Sequence, residues 1–147
     1  RRRRELMAQM PRLYVDTSAY LCVLLGEEGA PAIAEQLAES RLCSSVLLVL
    51  EVRRNLVRLA RGGELPAAKL NDLIERVRQD LEAFALKDLT TDLCSDPSMP
   101  AVNTPRSLDL AHLRTALWFH RREPLDGFLT RDAAQRLSGR ELGLPIA

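Results

Sequence analysis

Apolar and polar positions alternate along this chain in two rhythms. Short apolar blocks bounded by turn or polar residues lie at Arg12–Val15, Leu42–Ser44, Leu86–Leu89, Gly127–Thr130 and Leu144–Ile146, and each reads as a short buried strand. Between them the spacing becomes helical. Ser18 is placed to cap a helix over Ala19–Leu25 that Gly26 stops, and Pro31 suits the first turn of a second helix reaching about Ser40. Ser45 opens a long helix from Val46 to about Ala60, closed by Gly62 and Gly63. Pro66 opens another, along which Leu70, Leu73, Ile74, Val77, Leu81 and Phe84 recur at helical spacing. Thr90–Pro105 is interrupted by prolines and reads as a loop with at most one helical turn. Ser107 then caps a helix from Leu108 to about His120, and a last helix runs from about Arg131 to Leu137.

Strands alternating with helices predict an α/β sandwich around a mostly parallel sheet of about five short strands. There is no internal repeat and no linker, so residues 12–147 are read as one domain. Arg1–Pro11, which begins with four arginines, is read as a flexible basic tail.

Composition narrows the function classes. The 147 residues are 46% apolar and 28% charged, with a formal net charge of +1. Any nucleic-acid partner must therefore be held by local patches, because there is no global basic field. Aromatics make up 4%, too few for the stacking platforms of a general single-strand binder. Cys22, Cys43 and Cys94 share no metal-binding spacing and cannot all pair; the first two sit in apolar contexts and read as reduced core residues, which favours a cytoplasmic location. No apolar run approaches the ~20 residues of a membrane span.

Four acids interrupt this pattern. Asp16 lies in LYVDTSAYL, Glu51 in LLVLEVRRNL, Asp109 in RSLDLAHLRTA and Asp132 in FLTRDAAQRL. Each stands against an apolar run, at a strand-to-helix transition or within a helix, where a lone carboxylate is costly to bury. In a parallel sheet, ligands bind at the carboxyl ends of the strands, which is where Asp16 and Asp132 fall. Asp109 and Asp132 also have an ordinary reading as first-turn acids, with Ser107 and Thr130 as the caps. Glu51 discriminates best, since it lies mid-helix; its structural alternative is a pair with Arg54 or Arg58, and Asn55 shares its face. His112 follows Asp109 by three residues on the same face and reads as structural, although a base role is open to it. Four carboxylates without a Cys or His ligand set point to a hard cation, Mg²⁺ or Mn²⁺, rather than zinc. No Gly-rich phosphate loop, GxSxG or HExxH is present.

Taken in order, the segments DTS, the mid-helix Glu, SLDxxHLxTA, and FLTxD with a closing GLPI resemble the PIN-domain family, and within it the VapC-type ribonuclease toxins of prokaryotic toxin–antitoxin pairs. The resemblance runs from about Arg12 to Ile146. It implies a PIN-like α/β/α sandwich and an acidic cluster of Asp16, Glu51, Asp109 and Asp132 that binds Mg²⁺ or Mn²⁺ and hydrolyses RNA. It also implies auxiliary hydroxyls at Ser18 and Thr130, a homodimer, and silencing by a cognate VapB-type antitoxin in a hetero-oligomer. Arg53, Arg54, Arg58 and Arg61 beside Glu51, and Arg131 and Arg136 beside Asp132, are candidates for the RNA backbone; Arg54, Arg58 and Arg131 are placed best. The alternatives are a PIN-type RNA-processing nuclease without an antitoxin and a non-catalytic PIN-like module that binds RNA or protein.

Overall fold

The computed structural model describes residues 1–103 and 106–147. Strands β1 (Arg12–Val15), β2 (Arg41–Ser45), β3 (Phe84–Lys87) and β4 (Gly127–Leu129) form one sheet in the order β3-β2-β1-β4. Every pairing is parallel: Leu13 lies opposite Leu42 on one side and Gly127 on the other, and Ser45 lies opposite Lys87. Parallel strands covered on both faces need apolar side chains in both directions, and these supply them. Leu13, Val15 and Leu129 point into a core with Ala19, Leu48, Val52 and Leu56. Tyr14, Cys43 and Phe128 point the other way, into a second core with Leu113, Ala116 and Phe119. The result is the expected α/β/α sandwich.

Helices α2 (Thr17–Leu25), α3 (Ala30–Ala38), α4 (Leu47–Arg61) and α5 (Ala67–Leu81) supply the first core. The second is covered by α6 (Thr91–Ser95), α7 (Ser107–Arg122) and α8 (Ala133–Glu141). Ahead of β1, α1 (Arg2–Ala8) is a short helix that buries none of its residues, in a segment for which the sequence suggested no regular element. No helix among the described residues is long and apolar enough to cross a membrane.

Several boundaries differ from the sequence expectation for identifiable reasons. Phe84 continues the apolar spacing of α5 but belongs to β3, where it pairs with Leu42. The strand expected at Leu144–Ile146 is reduced to one parallel bridge between Phe128 and Ile146. Pro145 has no N–H to extend that ladder; its carbonyl accepts from the Phe128 amide at 2.6 Å. Among the described residues of Thr90–Pro105, Thr91–Ser95 is the one helical turn, and Thr104 and Pro105 lie outside the described residues. Cys22 and Cys43 are buried as expected, and burial pushes the Cys43 thiol up to about 12.

The chain runs from β1 outward to β2 and β3, then returns to place β4 against the opposite edge of β1. The direction of travel across the sheet therefore reverses between β1 and β4. A crevice opens at the carboxyl ends of two such strands, because the connections leaving them diverge.

Candidate metal centre

Asp16 follows the last residue of β1, and its amide donates to the Leu129 carbonyl at 3.1 Å, so the ladder carries it to the rim of this crevice. It is also the N-cap of α2: Oδ1 accepts from the Ala19 amide at 3.2 Å and from the Ser18 hydroxyl at 2.6 Å. The cap is thus Asp16 and not Ser18, because the helix begins at Thr17 and the carboxylate reaches the third amide. Asp132 repeats the arrangement after β4, where its Oδ1 caps α8 by accepting from the Gln135 amide at 3.0 Å. Thr130 is not the cap; its hydroxyl accepts from the Asp132 amide at 3.1 Å. Asp109 lies in the first turn of α7, whose N-cap is Arg106, so Ser107 is a helical residue. Three helix N-termini therefore each carry an aspartate, at the end of the helix dipole that favours negative charge.

The two hydroxyls expected to assist form a bridge across the crevice. Ser18 Oγ donates to Asp16, stands 3.3 Å from Thr130 Oγ1, and accepts from the Arg131 amide at 2.9 Å. Gln135 adds a second tie, its Nε2 donating to the Asp109 carbonyl at 2.9 Å. Asp109, Asp16 and Asp132 are close enough to feel one another. Burial pushes Asp109 up, and the charges of Asp132 and Asp16 push it further than Arg106 and His112 pull it back. Asp16 is also raised, by burial above all, with the Ser18 and Thr130 hydroxyls and His112 opposing.

Glu51 stands in a different setting. Its Oε1 accepts from the Thr17 hydroxyl at 2.9 Å and lies 2.7 Å from His112 Nε2. A carboxylate only accepts, so Nε2 carries a hydrogen, and the Tyr14 hydroxyl, 2.7 Å away, faces Nδ1. Burial tends to raise Glu51, but His112, Thr17 and the nearby charge of Arg54 outweigh it and hold the carboxyl below its usual range. In place of the structural alternative, a pair with Arg54 or Arg58, Glu51 bonds to His112. Arg58 turns to Asn55, and the Asn55 amide donates to the Glu51 carbonyl at 2.8 Å.

Among the described residues, no three His, Cys, Asp or Glu side chains stand close enough together to close around one ion. The ligand set of Asp16, Glu51, Asp109 and Asp132 is therefore not assembled as the side chains stand. Their donor chemistry nevertheless suits a hard cation. Asp16 Oδ2, Glu51 Oε2, Asp132 Oδ2 and both oxygens of Asp109 accept no hydrogen bond from the described residues. Mg²⁺ retains much of its water and takes one or two carboxylates directly, so an open arrangement of free oxygens fits it better than a closed cage would.

Of the candidate RNA contacts, Arg54 and Arg58 are exposed on α4, while Arg131 spends one guanidinium N–H on the Glu28 carbonyl at 2.7 Å. Arg136 is half-buried and donates to the Thr130 carbonyl at 3.2 Å. Asp126 plays no part in the crevice. Its carboxylate accepts from the Arg12 amide at 2.7 Å, at the opposite end of β1. Sequence reasoning missed Thr17 and Gln135 and read His112 as structural. Thr17 adjoins Asp16 in the DTS segment, so that triplet offered a signal; Gln135 offered none, being one polar residue in a polar helix.

The family model of the PIN domain matches residues 13–136. That span runs from β1 into α8 and includes all four acids. No curated protein significantly matches the chain.

Proposed function

The chain belongs to the PIN-domain family, and from that premise we propose that it is a Mg²⁺- or Mn²⁺-dependent ribonuclease, acting as the toxin of a VapBC-type pair. PIN domains are generally metal-dependent nucleases, typically with divalent metals such as Mg²⁺. The observation that carries the reading to this crevice is that Asp16 and Asp132 follow β1 and β4, between which the direction of travel across the sheet reverses, while Asp109 stands near enough to feel both charges.

A bound divalent cation would supply positive charge against the phosphodiester and a more acidic water at neutral pH. The chain's own groups prepare the place for it. Asp16 and Asp109 would hold it most directly, with Asp132 and Glu51 contributing partly through water. Ser18 fixes the rotamer of Asp16 through its 2.6 Å bond, and Thr130 fixes the backbone at Asp132. His112 and Thr17 keep Glu51 ionised and aimed by holding one oxygen and leaving the other free. Arg54, Arg58 and Arg131 are the proposed phosphate contacts. Hydrolysis of this kind uses no 2′-hydroxyl, so the products carry 5′-phosphate and 3′-hydroxyl ends.

The antitoxin and the homodimer belong to the proposal through the resemblance to VapC-type toxins. The test is cleavage of end-labelled total RNA with Mg²⁺ or Mn²⁺, with EDTA, and with Asp109→Asn. Cutting that needs metal and is lost in the variant supports the reading. Cutting that survives in Asp109→Asn removes Asp109 from the site.

A further inference from the structure

Gln135, in α8, is 2% exposed. Its backbone N–H donates to Asp132 Oδ1 at 3.0 Å, and its side-chain Nε2 donates to the Asp109 carbonyl at 2.9 Å. Its Oε1 is buried with no hydrogen-bond partner among the described residues. A buried amide with one end unpaired costs free energy that an apolar side chain of similar size would avoid. The other buried residues of this helix, Ser138 and Gly139, are small; Gly139 lets α8 approach Phe128 and Ile146, where a Cβ would come within 3.1 Å of Ile146 and 3.3 Å of Phe128. Packing alone therefore does not require an amide at this position.

Gln135 is also the residue through which two site acids are joined. One of its N–H groups holds the carboxylate of Asp132, and the other holds the backbone of Asp109, on a different helix. These two carboxylates repel each other, and the repulsion adds to the upward push on Asp109. Something must fix their separation when no cation lies between them. We infer that Gln135 is a positioning residue of the metal centre: through these two bonds it sets the distance between Asp109 and Asp132. This rests on the reading of the crevice as a metal-dependent nuclease site. Partners one shell out from a metal typically change its affinity 10–100-fold when removed.

The probe is Mn²⁺ alone, titrated calorimetrically into wild type, Gln135→Met, Asp109→Asn and the double variant, without RNA. Gln135→Met should bind Mn²⁺ about tenfold more weakly or worse. Its melting temperature in EDTA should stay close to wild type, because a bond and an unpaired acceptor vanish together. In the Asp109→Asn background the same change should make little further difference, since the backbone contact remains but the carboxylate it places is no longer there to bind the ion. Wild-type affinity in Gln135→Met overturns the inference and leaves the nuclease reading standing, as does an equal loss of affinity in both backgrounds. Absence of Mn²⁺ binding by folded wild type overturns both. Should Gln135→Met not fold, Gln135→Asn, which keeps the amide but shortens its reach by one methylene, carries the same expectations.

Discussion

Asp109 and Glu51 respond to their surroundings in opposite senses, and the difference sets how the metal-free protein answers to pH. Asp16 and Asp109 are raised in the fold, by burial first and, for Asp109, by neighbouring carboxylates. A raised acid binds its proton more readily folded than unfolded. Its stabilising contribution is therefore complete below the ordinary aspartate value of about 3.9 and is lost as pH climbs through the raised one. Glu51 is lowered on balance, because His112 and Thr17 outweigh its burial. Its contribution is present above the ordinary glutamate value of about 4.3 and is lost as pH falls through the lowered one. Asp109→Asn removes one of the raised acids. Thermal melts in EDTA should show the variant level with wild type near pH 4 and more stable toward pH 7. The gain should not exceed about 2–4 °C, the effect of roughly 1 kcal/mol in a domain of this size, because Asp109 is partly exposed and its repulsion is screened. A difference that does not grow with pH would show that the carboxylates do not strain this fold.

At the level of elements, α4 must hold Glu51 against His112 while an adjoining side is packed in the core. Leu48, Val52 and Leu56 have no exposure and recur at helical spacing on that side. Leu56→Ala should cost about 2–5 kcal/mol in urea unfolding, the range for a buried leucine whose space is not refilled; a cost under 1 kcal/mol would mean that the α4 contact with the first core is loose. This amphipathic pattern is why α4 and α5 were legible in the sequence, and the apolar blocks of β1 and β2 were legible for the same reason. The helix starts were less so. Asp16 and Asp132 occupy cap positions that Ser18 and Thr130 could have filled on residue preference alone, and only the geometry shows which oxygen reaches the third amide. The inward face of α8 was hidden for a different reason: it consists of Gln135, Ser138 and Gly139, which hydrophobic spacing reads as surface. The positions of the four acids could be read from motif order. The bond from Glu51 to His112 could not, because it joins residues on α4 and α7 whose proximity exists only once both pack against the sheet.

Over the whole molecule, a net charge of +1 leaves RNA capture to particular arginines. Arg54 is exposed with no competing hydrogen bond from the described residues, whereas Arg131 also anchors the turn before α3 through Glu28. If Arg54 neutralises one phosphate, Arg54→Ala should reduce the slope of log affinity against log salt by about 0.7 for single-stranded RNA. Binding would be followed in EDTA, so that cleavage does not intervene; an unchanged slope removes Arg54 from the RNA path. The order of strands has a separate consequence, for the history of each molecule. β4 is the last strand of the sheet to be synthesised, yet it pairs with the first, and Ser18 meets Thr130 only across that pairing. A chain emerging from the ribosome can lay β1, β2 and β3 side by side while the fourth position of the sheet stays empty and the crevice has one wall. If the crevice is the nuclease site proposed above, the capacity to cut is the last property the protein acquires, and an unfinished copy spares the RNA that encodes it and the ribosome that is making it.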